Sequence, residues 1–198
     1  MARQPRTFVI DRPRQIAALA APLRGRIVDD LAGNGPSSVT EIAARLGQRP
    51  EALYYHVRSL IKVGLVVLDS KRRSGRRWEA VYRLVAPRLK IDRRRRSKAF
   101  TRACADLCAA NLRAAARDYR AALEDGSCTM EGPAPNLLIR RHVTHLDADG
   151  LRRLNEHLTA IADLLEKANR SGSGDLMGLT VVLTPLRSQK TAEKTKPD

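Results

Sequence analysis

Residues 38–64 read SVTEIAARLGQRPEALYYHVRSLIKVG. Ser38 suits the position just before a short helix, where a side-chain oxygen accepts orphan backbone N–H groups, and Ile42, Ala43 and Leu46 then recur on one face. Gly47 stops that helix, and only Gln48 and Arg49 precede Pro50, a residue suited to the first turn of the next. The second helix is expected over 50–63. Its Leu53, Val57, Leu60 and Ile61 face inward, which leaves Glu51, Tyr54, Tyr55, Arg58 and Lys62 on the outer side. Two helices joined by so tight a connection have the geometry of a helix-turn-helix.

Working outward, Ile16, Leu19, Leu23, Ile27 and Leu31 are spaced for a helix over 15–33, with a break near Pro22 and an end at Gly33–Pro36. After Gly64, residues 65–68 and 78–85 read as strands joined by a basic loop over 69–77. Helix, helix, turn, helix and hairpin is the order of a winged helix, assigned to 15–87 behind an arm at 1–14. A basic linker follows at 88–98. Residues 100–123 are Ala-rich without Pro or Gly and read as a long helix. A loop at 126–135 and a strand at 137–146 come next. Asp147 then caps a helix in which Leu151, Leu154, Leu158, Ile161, Leu165 and Ala168 form an apolar stripe. A closing strand is expected at 179–183. Residues 99–186 are thus read as a C-terminal α+β dimerisation domain and 187–198 as a disordered tail. The fold class is mainly α with a small β wing.

The 198 residues carry a net charge of +16, and that charge is unevenly placed. Residues 1–98 hold 23 basic and 8 acidic side chains, whereas residues 99–198 hold 14 and 13. A basic first half and a nearly neutral second half read as a nucleic-acid module followed by one that packs against protein. The N-terminal apolar run is only Phe8–Ile10, and no run approaches the roughly 18 residues of a membrane span. Three cysteines without a framework of spacings fit a reducing compartment. A cytoplasmic protein without a membrane partner is expected.

Double-stranded DNA is the partner that these residues suit. Arg49, Glu51, Tyr54 and Tyr55, at the start of helix 50–63, are placed to read base edges in a major groove. Ser38, Thr40, Arg58 and Lys62 are assigned to the DNA backbone. The wing cations Lys71, Arg72, Arg73, Arg76 and Arg77 would add salt-dependent affinity without sequence choice. His56 falls between the two faces and reads as a partly buried, hydrogen-bonded residue. Cys104, Leu107 and Cys108 share a helical face, and two thiolates are too few for a metal site, so core packing is favoured. His142 and His145, three apart on a strand, would point to opposite faces. No metal, cofactor or enzyme signature is found. The competing class is an RNA-binding or nucleoid-associated basic protein without operator specificity.

Leu19–Arg24 (LAAPLR), Val39–Gly47 (VTEIAARLG), Tyr55–Arg58 (YHVR) with Leu60, Gly64–Val66 (GLV) and the Arg76–Tyr82 strand together resemble the ArsR-type winged-helix repressors of bacteria over residues 10–86. The resemblance implies a homodimeric transcription regulator that reads an inverted-repeat operator. Metal-sensing members carry a cysteine motif in the helix matching Val39–Leu46, and this chain has none there, so sensing at that site is not implied. Tyr54 stands where the family often has a small Ser, so the operator is not borrowed from relatives. The segment after residue 97 resembles the helical extension of larger members only loosely. Family behaviour further implies repression relieved by a small-molecule or redox effector acting on the C-terminal half. The dimer is expected to form mainly after residue 97, through Phe100, Leu107, Leu151, Leu154, Leu158, Ile161 and Leu165.

Overall fold

The computed structural model describes residues 5–75, 77–92, 94, 97–171 and 174–186. The expected tail at 187–198, the first four residues of the arm and the wing's Arg76 lie outside these. In chain order the elements are β1 (Thr7–Ile10), α1 (Pro13–Ala20), α2 (Pro22–Asn34), β2 (Ser37–Ser38), α3 (Val39–Leu46), α4 (Pro50–Lys62), β3 (Val66–Ser74), β4 (Arg77–Leu84), β5 (Arg88–Ile91), α5 (Lys98–Glu124) and α6 (Ala148–Ser171).

The single helix expected over 15–33 is two. Ala21, held extended at φ −78° and ψ 124° before Pro22, divides α1 from α2. α2, α3 and α4 then enclose one apolar core, with Ile27, Ile42, Leu53, Val57 and Leu60 buried. Ile61 lies on the outer side of α4, contrary to the inward expectation. Gln15 ties α1 to the end of α4. Its Oε1 accepts the N–H groups of Asp11 and Arg12, and its Nε2 donates to the Val63 carbonyl at 3.0 Å.

The hairpin is longer than its apolar ends suggest. β3 and β4 pair antiparallel out to Ser74 opposite Arg77, so the nine-residue basic loop expected over 69–77 is mostly ladder. Asp69 is the extra residue where the register shifts between Leu68 and Ser70, and it pairs with Arg83 at 2.8 Å. β2 adds a third strand on the other side of β4.

Two segments assigned as arm and linker also pair. β1 and β5 form a parallel two-stranded sheet, Phe8 opposite Leu89 and Ile10 opposite Ile91. The period-two Leu89 and Ile91 pack toward the core while the intervening Lys90 is exposed, which the density of cations had concealed. α5 lies along α1 and buries Phe100 and Ala103, with Cys104 and Leu107 partly buried against the same core. Phe100 is therefore buried within its own chain, which removes it from the expected dimer surface, while Leu107 is only partly covered there.

The C-terminal half departs most from expectation. Among the described residues it holds α5, α6 and chain without regular secondary structure but no strand, so the α+β assignment is corrected. Residues 137–146 and 179–183 have no ladder partner. His142 and His145 therefore stand exposed on chain outside any strand, and among the described residues no cluster of His, Cys, Asp and Glu has the geometry to hold a metal. Asp147 does cap α6, accepting the Gly150 N–H at 2.7 Å. Polar contacts link α6 to the N-terminal half: Arg88 reaches Asp163 at 2.7 Å and Glu166 at 2.9 Å, and Asn169 donates to the Ala32 carbonyl at 2.8 Å.

Candidate nucleic-acid interface

The turn between α3 and α4 is set by backbone geometry. Gly47 sits at φ 62° and ψ 38°, a left-handed conformation that glycine adopts without a Cβ penalty. It lets the Gln48 N–H reach the Ala43 carbonyl at 2.9 Å and close the end of α3. Arg26 of α2 donates to the Leu46 carbonyl at 2.9 Å, placing a cation at the negative end of the same helix. Arg45 fixes α3 against α2 through a two-pronged pair with Asp30, both bonds 2.7 Å, and also donates to Ser37 Oγ at 2.8 Å. The hydrogen bond to Asp30 raises the Arg45 pKa. The angle of the helix pair thus rests on a carboxylate that is buried and fully engaged.

On α4, Leu53, Val57 and Leu60 are buried, while Glu51, Tyr54, Tyr55, Arg58 and Lys62 are exposed. Tyr55 is 70% exposed and meets His56 edge-on at 5.5 Å between ring centroids. His56 is half-buried, and its buried Nδ1 has no hydrogen-bond partner, so the expected hydrogen bond is absent at that atom. Arg49 and Thr40 are exposed at the starts of α4 and α3. Ser38 is not: it is fully buried, and its Oγ accepts the Glu41 N–H at 3.2 Å while Glu41 Oε2 accepts the Ser38 N–H at 2.8 Å. This reciprocal cap consumes the group assigned to DNA backbone, so that assignment is corrected.

The wing cations divide by strand face. Lys71 stands opposite Ala80 and Arg73 opposite Trp78, whereas Arg72, opposite Glu79, has the other parity. Arg72 is ion-paired with Glu41 of α3. The Arg72 hydrogen bond, followed by that from the Ser38 backbone, holds the Glu41 carboxyl below its ordinary range. Arg72 is thus engaged in an ion pair within the chain, while Lys71, Arg73 and Arg77 are exposed, Arg73 with its Nε donating to the Gly75 carbonyl at 3.2 Å.

Two residues of this surface were missed by sequence reasoning. Glu41 was legible, because Ser38 followed three residues later by Glu is the pattern of a reciprocal cap. Trp78, the single tryptophan of the chain, is 73% exposed beside the cations. Its place opposite Arg73 depends on a tight turn after Ser74 that the long-loop reading hid. No described helix is long and apolar enough to cross a membrane.

No curated protein matches the chain. Residues 19–69, from the end of α1 to the first residues of the wing, match the family model of a helix-turn-helix domain.

Proposed function

We propose that the protein is a sequence-specific DNA-binding transcription regulator, a binding protein rather than an enzyme, acting as a homodimeric repressor at an inverted-repeat operator. The observation that carries this reading is the division of α4. Its apolar side is spent on the core, and Glu51, Tyr54, Tyr55, Arg58 and Lys62 stand in solvent on a helix-turn-helix domain. An α-helix fits the major groove, and the first turns of the second helix are the part that meets base edges. Arg49, Glu51, Tyr54 and Tyr55 occupy that part. Thr40, Arg58, Lys62 and the wing's Lys71, Arg73 and Arg77 serve the phosphates, and a second copy supplies the symmetry-related half-site.

Selection from a random duplex library tests the proposal. The expected outcome is enrichment of one palindromic sequence with half-sites about one helical turn apart. A pool that stays random, or tighter binding to structured RNA than to any duplex, would replace it with the nucleoid-associated or RNA-binding reading.

A further inference from the structure

Two stretches flanking α6 run without turn or bend, residues 135–147 before it and 175–186 after it. Fully extended at about 3.3 Å per residue, each would span roughly 40 Å, close to the rise of about 36 Å expected of α6. Neither pairs with a strand. The only sheets among the described residues are β1-β5 and β2-β4-β3. Their apolar side chains stand in water, Ile139 at 79%, Val143 at 68% and Leu179 at 59% exposed.

The residues of the second stretch are those of a strand. Leu179, Val181 and Leu183 alternate with Thr180, Val182 and Thr184, a run of aliphatic and β-branched residues that fits a pleated surface. Main-chain donors and acceptors beside such side chains form a template for another strand. Among the described residues the two stretches do not pair with each other.

Charge selects what completes the ladder. Residues 99–198 carry 14 basic and 13 acidic side chains, so two C-terminal halves can meet without net repulsion. The N-terminal halves, with 23 against 8, repel each other. The area is also of the right order. Eleven large apolar side chains of the two stretches are exposed. At roughly 60–120 Å² for each such side chain, they reach the scale of about 800 Å² per partner that a standard interface needs. A two-fold axis would present both stretches of each copy to the other.

We propose that residues 135–147 and 175–186 are strands of an intermolecular sheet, each finding its ladder neighbour in a second copy of this chain. The inference rests on the homodimer of the proposed function and names how that dimer is built.

Hydrogen exchange of the full chain, at concentrations above and below dimer dissociation measured by sedimentation, tests it. The amides of Ile139–Val143 and Leu179–Leu183 should be protected about tenfold or more in the dimer and lose that protection in the monomer. Val181→Pro, at an exposed site, removes a ladder donor and should raise the dimer dissociation constant about tenfold while helix content stays unchanged. A dimer in which these amides exchange freely would overturn the intermolecular sheet and leave the dimer standing. A chain that stays monomeric while binding single half-sites would overturn sheet and dimer together, and leave DNA recognition standing. Protection that persists in the monomer would mean that the ladder closes within one chain.

Discussion

The two halves of the chain are built from the same aliphatic residues and differ in where those residues find cover. From β1 to Leu107 most large apolar side chains lie in one core, and the exposed exceptions are Val9 on β1 and Tyr54, Tyr55, Ile61, Leu68 and Trp78 on α4 and the wing. Beyond Leu107 the pattern inverts: Leu151, Ile161 and Leu165 of the α6 stripe and most of the extended stretches stand in water. A helix-turn-helix core is closed by contacts between neighbours in sequence. A surface made for a partner leaves its apolar faces open until that partner arrives.

The largest expected effect separates the halves directly. Leu60→Ala empties a fully buried site and should cost about 2–5 kcal/mol in denaturant unfolding. Ile161→Asp, on an exposed face, should change monomer unfolding by less than about 0.5 kcal/mol. It should nevertheless shift the chain to monomers in sedimentation. If Ile161→Asp destabilised the monomer as much as Leu60→Ala, the contrast between closed and open halves would be wrong.

Next in size is the pair that sets the helix angle. Arg45→Ala leaves the Asp30 carboxylate buried, with Asn34 Nδ2 still donating to it at 3.0 Å. Because Arg45 is itself partly exposed, the loss should sit at or below the lower end of the roughly 3–5 kcal/mol seen for broken buried pairs. Thermal unfolding measures it, and a variant as stable as the wild type would show that the pair does not hold α3 on α2.

What was legible in the sequence follows the same divide. The periodic residues of α2, α3 and α4 gave their own positions, because each helix carries its buried face and its stop signals within a few residues. β5 was hidden because Arg88 and Lys90 break up the short apolar pattern of Leu89 and Ile91 within a dense basic run. The inner ladder of the wing was hidden because Lys71, Arg72 and Arg73 do not look like a strand. Their pairing is fixed by the turn and by Glu41 on another element. Ser38 was recognised as a cap, yet the same residue was assigned to DNA, and full burial rules out the second role. The strand patterns at 137–146 and 179–183 were visible, but such a pattern becomes a strand only beside a ladder partner, and among the described residues neither segment has one.

Smaller effects refine the closed half. Ser38→Ala removes the cap of α3 and should cost about 1 kcal/mol. The Glu41–Arg72 pair is exposed, so Glu41→Gln should cost less than that, within about 1 kcal/mol. Its pH dependence has a definite sign. A carboxyl whose pKa is lowered by folding stabilises fully above its ordinary value of 4.5 and loses that contribution as pH falls through the lower folded value. The difference in stability between wild type and Glu41→Gln should therefore be constant near neutrality and shrink only in acid. A difference that grew in acid would contradict the pairing.

The central claim is that the exposed face of α4 reads sequence while the wing grips the backbone, and paired titrations test it most directly. The wild type, Arg49→Ala, Tyr54→Ala and the double variant Lys71→Ala with Arg73→Ala are each titrated with selected and random duplexes at several salt concentrations. The helix variants should lose about 1–3 kcal/mol of preference for the selected duplex per base contact removed. The wing variant should weaken both duplexes alike and flatten the salt dependence by about one unit of slope per lost phosphate contact. The opposite pattern, with the wing variant losing preference while the helix variants keep it, would contradict the account.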